Sequence, residues 1–183
     1  MVHVVLVTGG CRSGKSAFAL QYAEAIEGAR AFVATCSPID VEMKERIRKH
    51  RQARDRGQWA TIEEPIRLAD VVRRAGSFNV LLIDCLTLWI NNLLFEASQR
   101  NEPISDEVVA RLCTGLIEAI SQFDGTVILV TNEVGMGIVP EDATSRLYRD
   151  LMGCCNRMIA DAADEVTLVV CGQPLTIKKR SHS

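Results

Sequence analysis

The chain has 183 residues, 48% of them hydrophobic and 24% charged, with a formal net charge of −2. That is enough chain for a single domain with a filled core, and the near-neutral balance argues against a general nucleic-acid or membrane-surface role. No apolar run reaches bilayer length and the first residues enter a strand without a charged leader, so the expectation is a cytoplasmic protein with no membrane span.

A strand is predicted over 4–8. It runs into Gly9, Gly10, Cys11, Arg12, Ser13, Gly14, Lys15 and Ser16, and a helical pattern follows over 15–27. Strand, G-x-x-x-x-G-K-S and helix in that order form a phosphate-binding P-loop. Gly9, Gly10 and Gly14 let the backbone take positive φ and bring N–H groups close to a polyphosphate. Lys15 adds a full charge at the β- and γ-phosphates, Ser16 offers a hydroxyl to Mg²⁺, and the positive end of the helix faces the same anion. The alternative is a glycine-rich turn before an ordinary helix; the agreement of strand, spacing and terminal Lys-Ser favours the nucleotide site.

A short strand is predicted over 31–35 and a polar helix over 39–54. In that helix Ile39, Met43 and Ile47 recur every four residues, and at 100° per residue His50 falls on the same stripe. Arg46 and Arg54 flank it one turn away, with Lys49 and Arg51 adjacent. Neighbouring positive charge disfavours protonation, so the imidazole stays neutral and nucleophilic, while the guanidinium groups suit phosphoryl oxygens. The other reading is a solvated basic helix with an incidental histidine, and spacing does not decide between them.

Helices are predicted over 66–74, 86–96, 106–123 and 144–163, with strands over 80–84, 126–131 and 165–170. The strand segments VVLVT, VLLID, TVILVT and EVTLVV are apolar almost throughout, as strands covered on both faces must be. The expected fold is α/β, a mostly parallel sheet flanked by helices, with a polar tail from about residue 179. In such sheets ligands bind beyond the carboxyl ends of the strands, where Thr8-Gly9, Thr35-Cys36, Asp84 and Thr131-Asn132-Glu133 stand. Asp84, after four aliphatic residues, has the form of a Walker B carboxylate and joins Ser16 as a metal candidate. Seven cysteines without a Cys-x-x-Cys spacing read as small reduced core residues, with Cys11 and the Cys154-Cys155 pair as places to weigh redox sensitivity. Trp59 and Trp89 read as packing residues, and neither His3 nor His182 has an evident partner.

GGCRSGKS in the P-loop, ATC at 34–36, EMKERIRKHRQAR at 42–54, W-x-T-x-E at 59–63, IDCLTLWINNLL at 83–94 and LVTNEVGMGIVPE at 129–141 together carry a resemblance. From residue 4 to about 178 the chain resembles the bifunctional adenosylcobinamide kinase/adenosylcobinamide-phosphate guanylyltransferase family of cobalamin biosynthesis. The P-loop is widely shared, whereas the TNEVGMGIVPE block and the R-I-x-x-H helix are far more specific. The resemblance implies a P-loop NTPase with a RecA-like sheet, a homotrimer, and the use of ATP, GTP and Mg²⁺. It implies two reactions: phosphorylation of the corrinoid adenosylcobinamide, then transfer of GMP from GTP through a GMP-histidine intermediate, which falls on His50. The nucleotide contacts it implies are Gly9 through Ser16, Ala34, Thr35, Cys36, Arg51, Gln52, Ala53, Arg54, Glu63 and Asp84, with Lys15 catalytic beside His50. Cys36 stands where serine is common and Asp84 where glutamate can occur; the changes keep a small residue and a carboxylate. Two rivals are a regulatory P-loop NTPase and a small-molecule kinase without nucleotidyl transfer. The first would read guanine through Asn-Lys-x-Asp, where this chain has Thr131-Asn132-Glu133-Val134, and the second has no need of His50.

Overall fold

The computed structural model describes residues 2–36 and 59–180. The helix predicted over 39–54, with His50, Arg51, Gln52, Ala53 and Arg54, lies outside the described residues, as does His182. The elements run β1 (His3–Gly9), α1 (Lys15–Glu24), β2 (Arg30–Ala34), β3 (Trp59–Glu63), α2 (Leu68–Arg74) and β4 (Val80–Asp84), then α3 (Leu86–Gln99), α4 (Asp106–Ser121), β5 (Thr126–Val130), α5 (Ala143–Ala162), β6 (Glu165–Val170) and β7 (Gln173–Lys179).

The strands form one sheet in the order β3-β2-β4-β5-β1-β6-β7. Every pairing is parallel except the β6–β7 hairpin, whose register shifts between Val166 and Thr167. Parallel neighbours need crossover connections, which is why helices separate the strands and cover both faces. Residues of alternate parity divide between the faces. On one face Leu6, Leu81, Ile83, Val127 and Leu129 pack against Leu68, Trp89, Leu116 and Leu151 of the four helices α2 to α5. On the other, Val5, Val7, Val80, Leu82, Ile128 and Val130 meet Ala19 and Ala23 of α1. The small alanines give α1 a narrow contact surface against the sheet, directly behind the P-loop. Each fully buried Leu or Ile here contributes about 2 kcal/mol of transfer free energy.

The expected α/β sheet flanked by helices is observed, with element bounds displaced by up to three residues. Two strands were not expected. In β3, WATIE has no buried residue, and in β7, QPLTIKK includes Pro174 and is exposed at nearly every position. Both lie on sheet edges, where the run of apolar residues that marks a central strand is not required. Trp89 is buried and its indole N–H donates to the Ile66 carbonyl at 2.7 Å, as a packing residue should. His3 corrects its reading, because it stands 3.4 Å from the Tyr22 hydroxyl and 3.8 Å from the Asp164 carboxylate. The cysteines also divide: Cys113 and Cys155 are core residues, whereas Cys11 and Cys171 are exposed because they lie in turns. Among the described residues no helix is long and apolar enough to cross a membrane.

Candidate nucleotide site

The P-loop leaves β1 and folds back onto α1 through two residues of positive φ, Arg12 at 55° and Gly14 at 95°, which glycine takes without steric cost. Gly9 could be no other residue without a shift of backbone: a Cβ there would lie 2.4 Å from the Val169 carbonyl oxygen. The tip of the β6–β7 hairpin closes the loop from outside. The Gly172 N–H donates to the Ser13 carbonyl at 2.8 Å, and a Cβ on Gly14 would come within 3.3 Å of the Gly172 Cα.

Three features make this loop an anion site. Gly14 at the N-cap has no side chain to cap α1, and no acidic residue occupies its first turn, so among the described residues the first N–H groups and the positive end of the helix dipole stay available. Lys15 is nearly buried and its ammonium donates to the Gly10 carbonyl at 3.0 Å, which holds the charge within the loop. The Ser13 hydroxyl is buried and meets no hydrogen-bond partner among the described residues, an arrangement that a bound phosphoryl oxygen would satisfy.

Asp84 faces this loop. Val7 and Asp84 both pair with Val130, so they lie two strand spacings, or about 10 Å, apart. By parity Asp84 shares the face of Val80 and Leu82, which is the face α1 covers. Cys85 reports both charges. Its thiol is pushed up to about 11, by burial first and by the Asp84 carboxylate second, with the Lys15 ammonium opposing them. Among the described residues no cluster of three His, Cys, Asp or Glu could hold a metal. Ser16 and Asp84 are nonetheless hard oxygen donors at the end of α1 and of β4, and two protein oxygens completed by phosphates are the donor set that suits Mg²⁺.

Of the remaining nucleotide contacts implied by the resemblance, Ala34 and Glu63 lie with Asp84 along one row at the carboxyl edge. Glu63 pairs with Ala34, and Ala34 with Asp84. The row brings Ala34 beside Asp84 but leaves Glu63 four spacings, about 19 Å, from the P-loop strand. Glu63 lines a cleft of about 260 Å³ with Glu64, Arg67 and Phe78. The Thr35 side chain is fully buried, and its hydroxyl donates to the Cys85 carbonyl at 2.8 Å and accepts from the Cys85 N–H at 2.7 Å. Its side chain therefore braces the segment behind Asp84. Asn92 holds the Thr35 carbonyl from α3 at 2.8 Å.

Sequence reading missed the supports of the TNE segment that follows β5. The N–H groups of Thr131 and Glu133 donate to the carbonyls of Val7 and Gly9 at 2.9 and 3.1 Å, which prolongs the pairing with β1. Between them the Asn132 N–H donates to the Thr87 hydroxyl at 2.8 Å, and its carbonyl accepts from Asn156 at 3.0 Å. Tyr148, pushed up to about 12 by burial, donates to the Thr87 carbonyl at 3.1 Å. Polar residues among the apolar positions of α3 and α5 are the signal that could have found Thr87 and Asn156. A larger cleft of about 610 Å³ lies elsewhere, between α4 and α5, where Arg149 and Arg157 face Asp106, Glu107 and Asp150. Its lining contains no P-loop residue.

The chain is similar to known proteins over nearly its whole length. Residues 5–177 match the family described as cobinamide kinase / cobinamide phosphate guanyltransferase. The chain is 39% identical over 175 residues to the bifunctional adenosylcobalamin biosynthesis protein CobP of Pseudomonas aeruginosa, covering 94% of this chain and 96% of the relative. It is 39% identical over 185 residues to the protein of the same description, CobU, from Escherichia coli, covering 96% and 99%. The CobU of Salmonella typhimurium is 38% identical over 194 residues, again covering 96% and 99%.

Proposed function

Because the chain belongs to the cobinamide kinase / cobinamide phosphate guanyltransferase family, it is an enzyme of those two activities, and we propose how its residues divide them. The observation that carries the division is the placement of a buried Lys15 and of Asp84 on the one sheet face that α1 covers.

In the first step a nucleoside triphosphate, ATP or GTP, lies with its phosphates against the N–H groups of Gly9 to Ser16. Lys15 balances the charge that builds on the γ-phosphoryl group as it passes to the hydroxyl of adenosylcobinamide. Ser16 and Asp84 would hold Mg²⁺, which when bound neutralises charge across the β- and γ-phosphates. In the second step His50 attacks the α-phosphorus of GTP, pyrophosphate leaves, and the GMP then passes to adenosylcobinamide phosphate. The support for His50 is its place in the R-I-x-x-H pattern among Arg46, Arg51 and Arg54, cations suited to phosphoryl oxygens. Two displacements at one phosphorus give net retention and ping-pong kinetics. Ala34, Cys36, Gln52, Ala53 and Glu63 complete the nucleotide's surroundings, and the enzyme works as a homotrimer; both readings rest on the family resemblance.

The test is product analysis by mass spectrometry with adenosylcobinamide, Mg²⁺ and nucleotide. The expected sequence is a corrinoid phosphate first, with ATP or GTP, and a corrinoid-GDP with pyrophosphate only when GTP is present. A corrinoid-GDP that forms without passing through the phosphate would overturn the division.

A further inference from the structure

Asn132 has a carboxamide oxygen that no described residue uses. Its main chain is fixed from two sides, by Thr87 of α3 on its N–H and by Asn156 of α5 on its carbonyl. The Oδ1 of its carboxamide is nevertheless buried and meets no hydrogen-bond partner among the described residues. A buried polar atom without a partner costs stability, so its retention in a tightly supported segment points to a ligand.

The position of the side chain says which ligand. Thr131 and Glu133 continue the pairing of β5 with β1, so strand alternation persists through Asn132. Thr131 points to the face of α5, where its hydroxyl donates to Asn156 at 2.7 Å. Asn132 therefore points to the opposite face, with Ile128 and Val130, the face that α1 covers. Asp84 shares that face, and Lys15 and Ser16 begin α1 on it. Since Val130 pairs with both Val7 and Asp84, Asn132 stands between the level of Gly9 and the first residues past Asp84. A phosphate acceptor that approaches a triphosphate held by the P-loop and Lys15 would come to this level of the sheet.

We propose that the Asn132 carboxamide oxygen accepts a hydrogen bond from the hydroxyl of the phosphate acceptor and orients it for the kinase step. This rests on the kinase reading above and deepens it. The hydroxyl oxygen forms the new bond to the γ-phosphorus, the bond from that phosphorus to the β–γ bridging oxygen breaks, and the nucleoside diphosphate leaves. An amide is too weak a base to take the proton, which passes late in the transfer to an oxygen of the transferred phosphoryl group. The guanylyl transfer, at the α-phosphorus, does not use this contact.

The experiment compares the wild type with Asn132→Ala and Asn132→Leu in the full chain. It follows phosphorylation of adenosylcobinamide, guanylylation of supplied adenosylcobinamide phosphate, nucleotide Kd and Tm. Both variants are expected to lose about 100-fold in kcat for phosphorylation, the scale of a misplaced reacting group. Nucleotide Kd and guanylylation are expected to stay within about threefold of wild type. Tm is expected to hold or rise in Asn132→Leu, since leucine leaves no buried polar atom unpaired. Phosphorylation within about threefold of wild type in either variant would overturn the assignment, as would equal loss of both reactions or a lowered Tm in both variants. A wild type that does not phosphorylate adenosylcobinamide would instead remove the kinase reading itself.

Discussion

Lys15 is the residue on which the proposed nucleotide site depends most. Its ammonium is nearly buried against the Gly10 carbonyl, so truncation removes the charge from a place that solvent cannot replace. Lys15→Ala is expected to weaken nucleotide binding and to lower turnover by about 10³ or more. Equilibrium titration and steady-state rates check this, and unchanged values for both would remove the site. Cys85 gives a pH test of the same neighbourhood. Its thiol is raised from the ordinary 9.0 to about 11 by burial and by Asp84. Between those values the unfolded chain has released a proton that the folded chain still holds, so folding stability falls as pH rises through that window. The fall in Tm between pH 8 and pH 10.5 is expected to be smaller in Cys85→Ala than in wild type, and identical slopes would contradict the shift. The places of Lys15 and Asp84 were legible in the sequence, the first from the P-loop spacing and the second from the apolar run that it ends. Thr87, Asn156 and the unpartnered Asn132 oxygen were not legible, since their meaning comes from three segments that meet only in the folded chain.

At the scale of elements, the P-loop owes its shape to β6 and β7 as much as to its own glycines. Gly9 faces the Val169 carbonyl at a distance that admits no Cβ, whereas a Cβ on Gly10 would meet nothing within 4 Å among the described residues. Gly9→Ala is therefore expected to cost about 1 to 3 kcal/mol and to weaken nucleotide binding. Gly10→Ala is expected to leave stability near wild type. Denaturant unfolding of the two variants checks the contrast, and equal stability would show that β6 does not constrain the loop. The central strands and all the described helices could be read from apolar runs and helical spacing. The edge strands β3 and β7 could not, because an edge strand with solvent on its flank needs no apolar run. The β7 hairpin mattered most among these omissions, since its Gly172 holds the Ser13 carbonyl.

At the scale of the molecule, the residues proposed for the chemistry stand at strand ends, while exposed apolar side chains lie on the surface, among them Met136 and Ile138 after β5 and Leu175 and Ile177 on β7. Surfaces of this kind suit contact with another subunit or with an apolar substrate. A homotrimer is expected by sedimentation equilibrium at micromolar concentration, and a stable monomer there would contradict it. The whole scheme turns on whether a histidine carries GMP between two substrates. The direct measurement is incubation with GTP labelled at the α-phosphorus, with acid and base treatment of the protein, in wild type, His50→Ala and His50→Asn. The wild type is expected to carry a label lost in acid and kept in base, as a phosphorus–nitrogen bond requires. Both variants are expected to lose it while they still phosphorylate adenosylcobinamide. Label retained in both variants would place the nucleophile elsewhere and contradict the division of the two reactions.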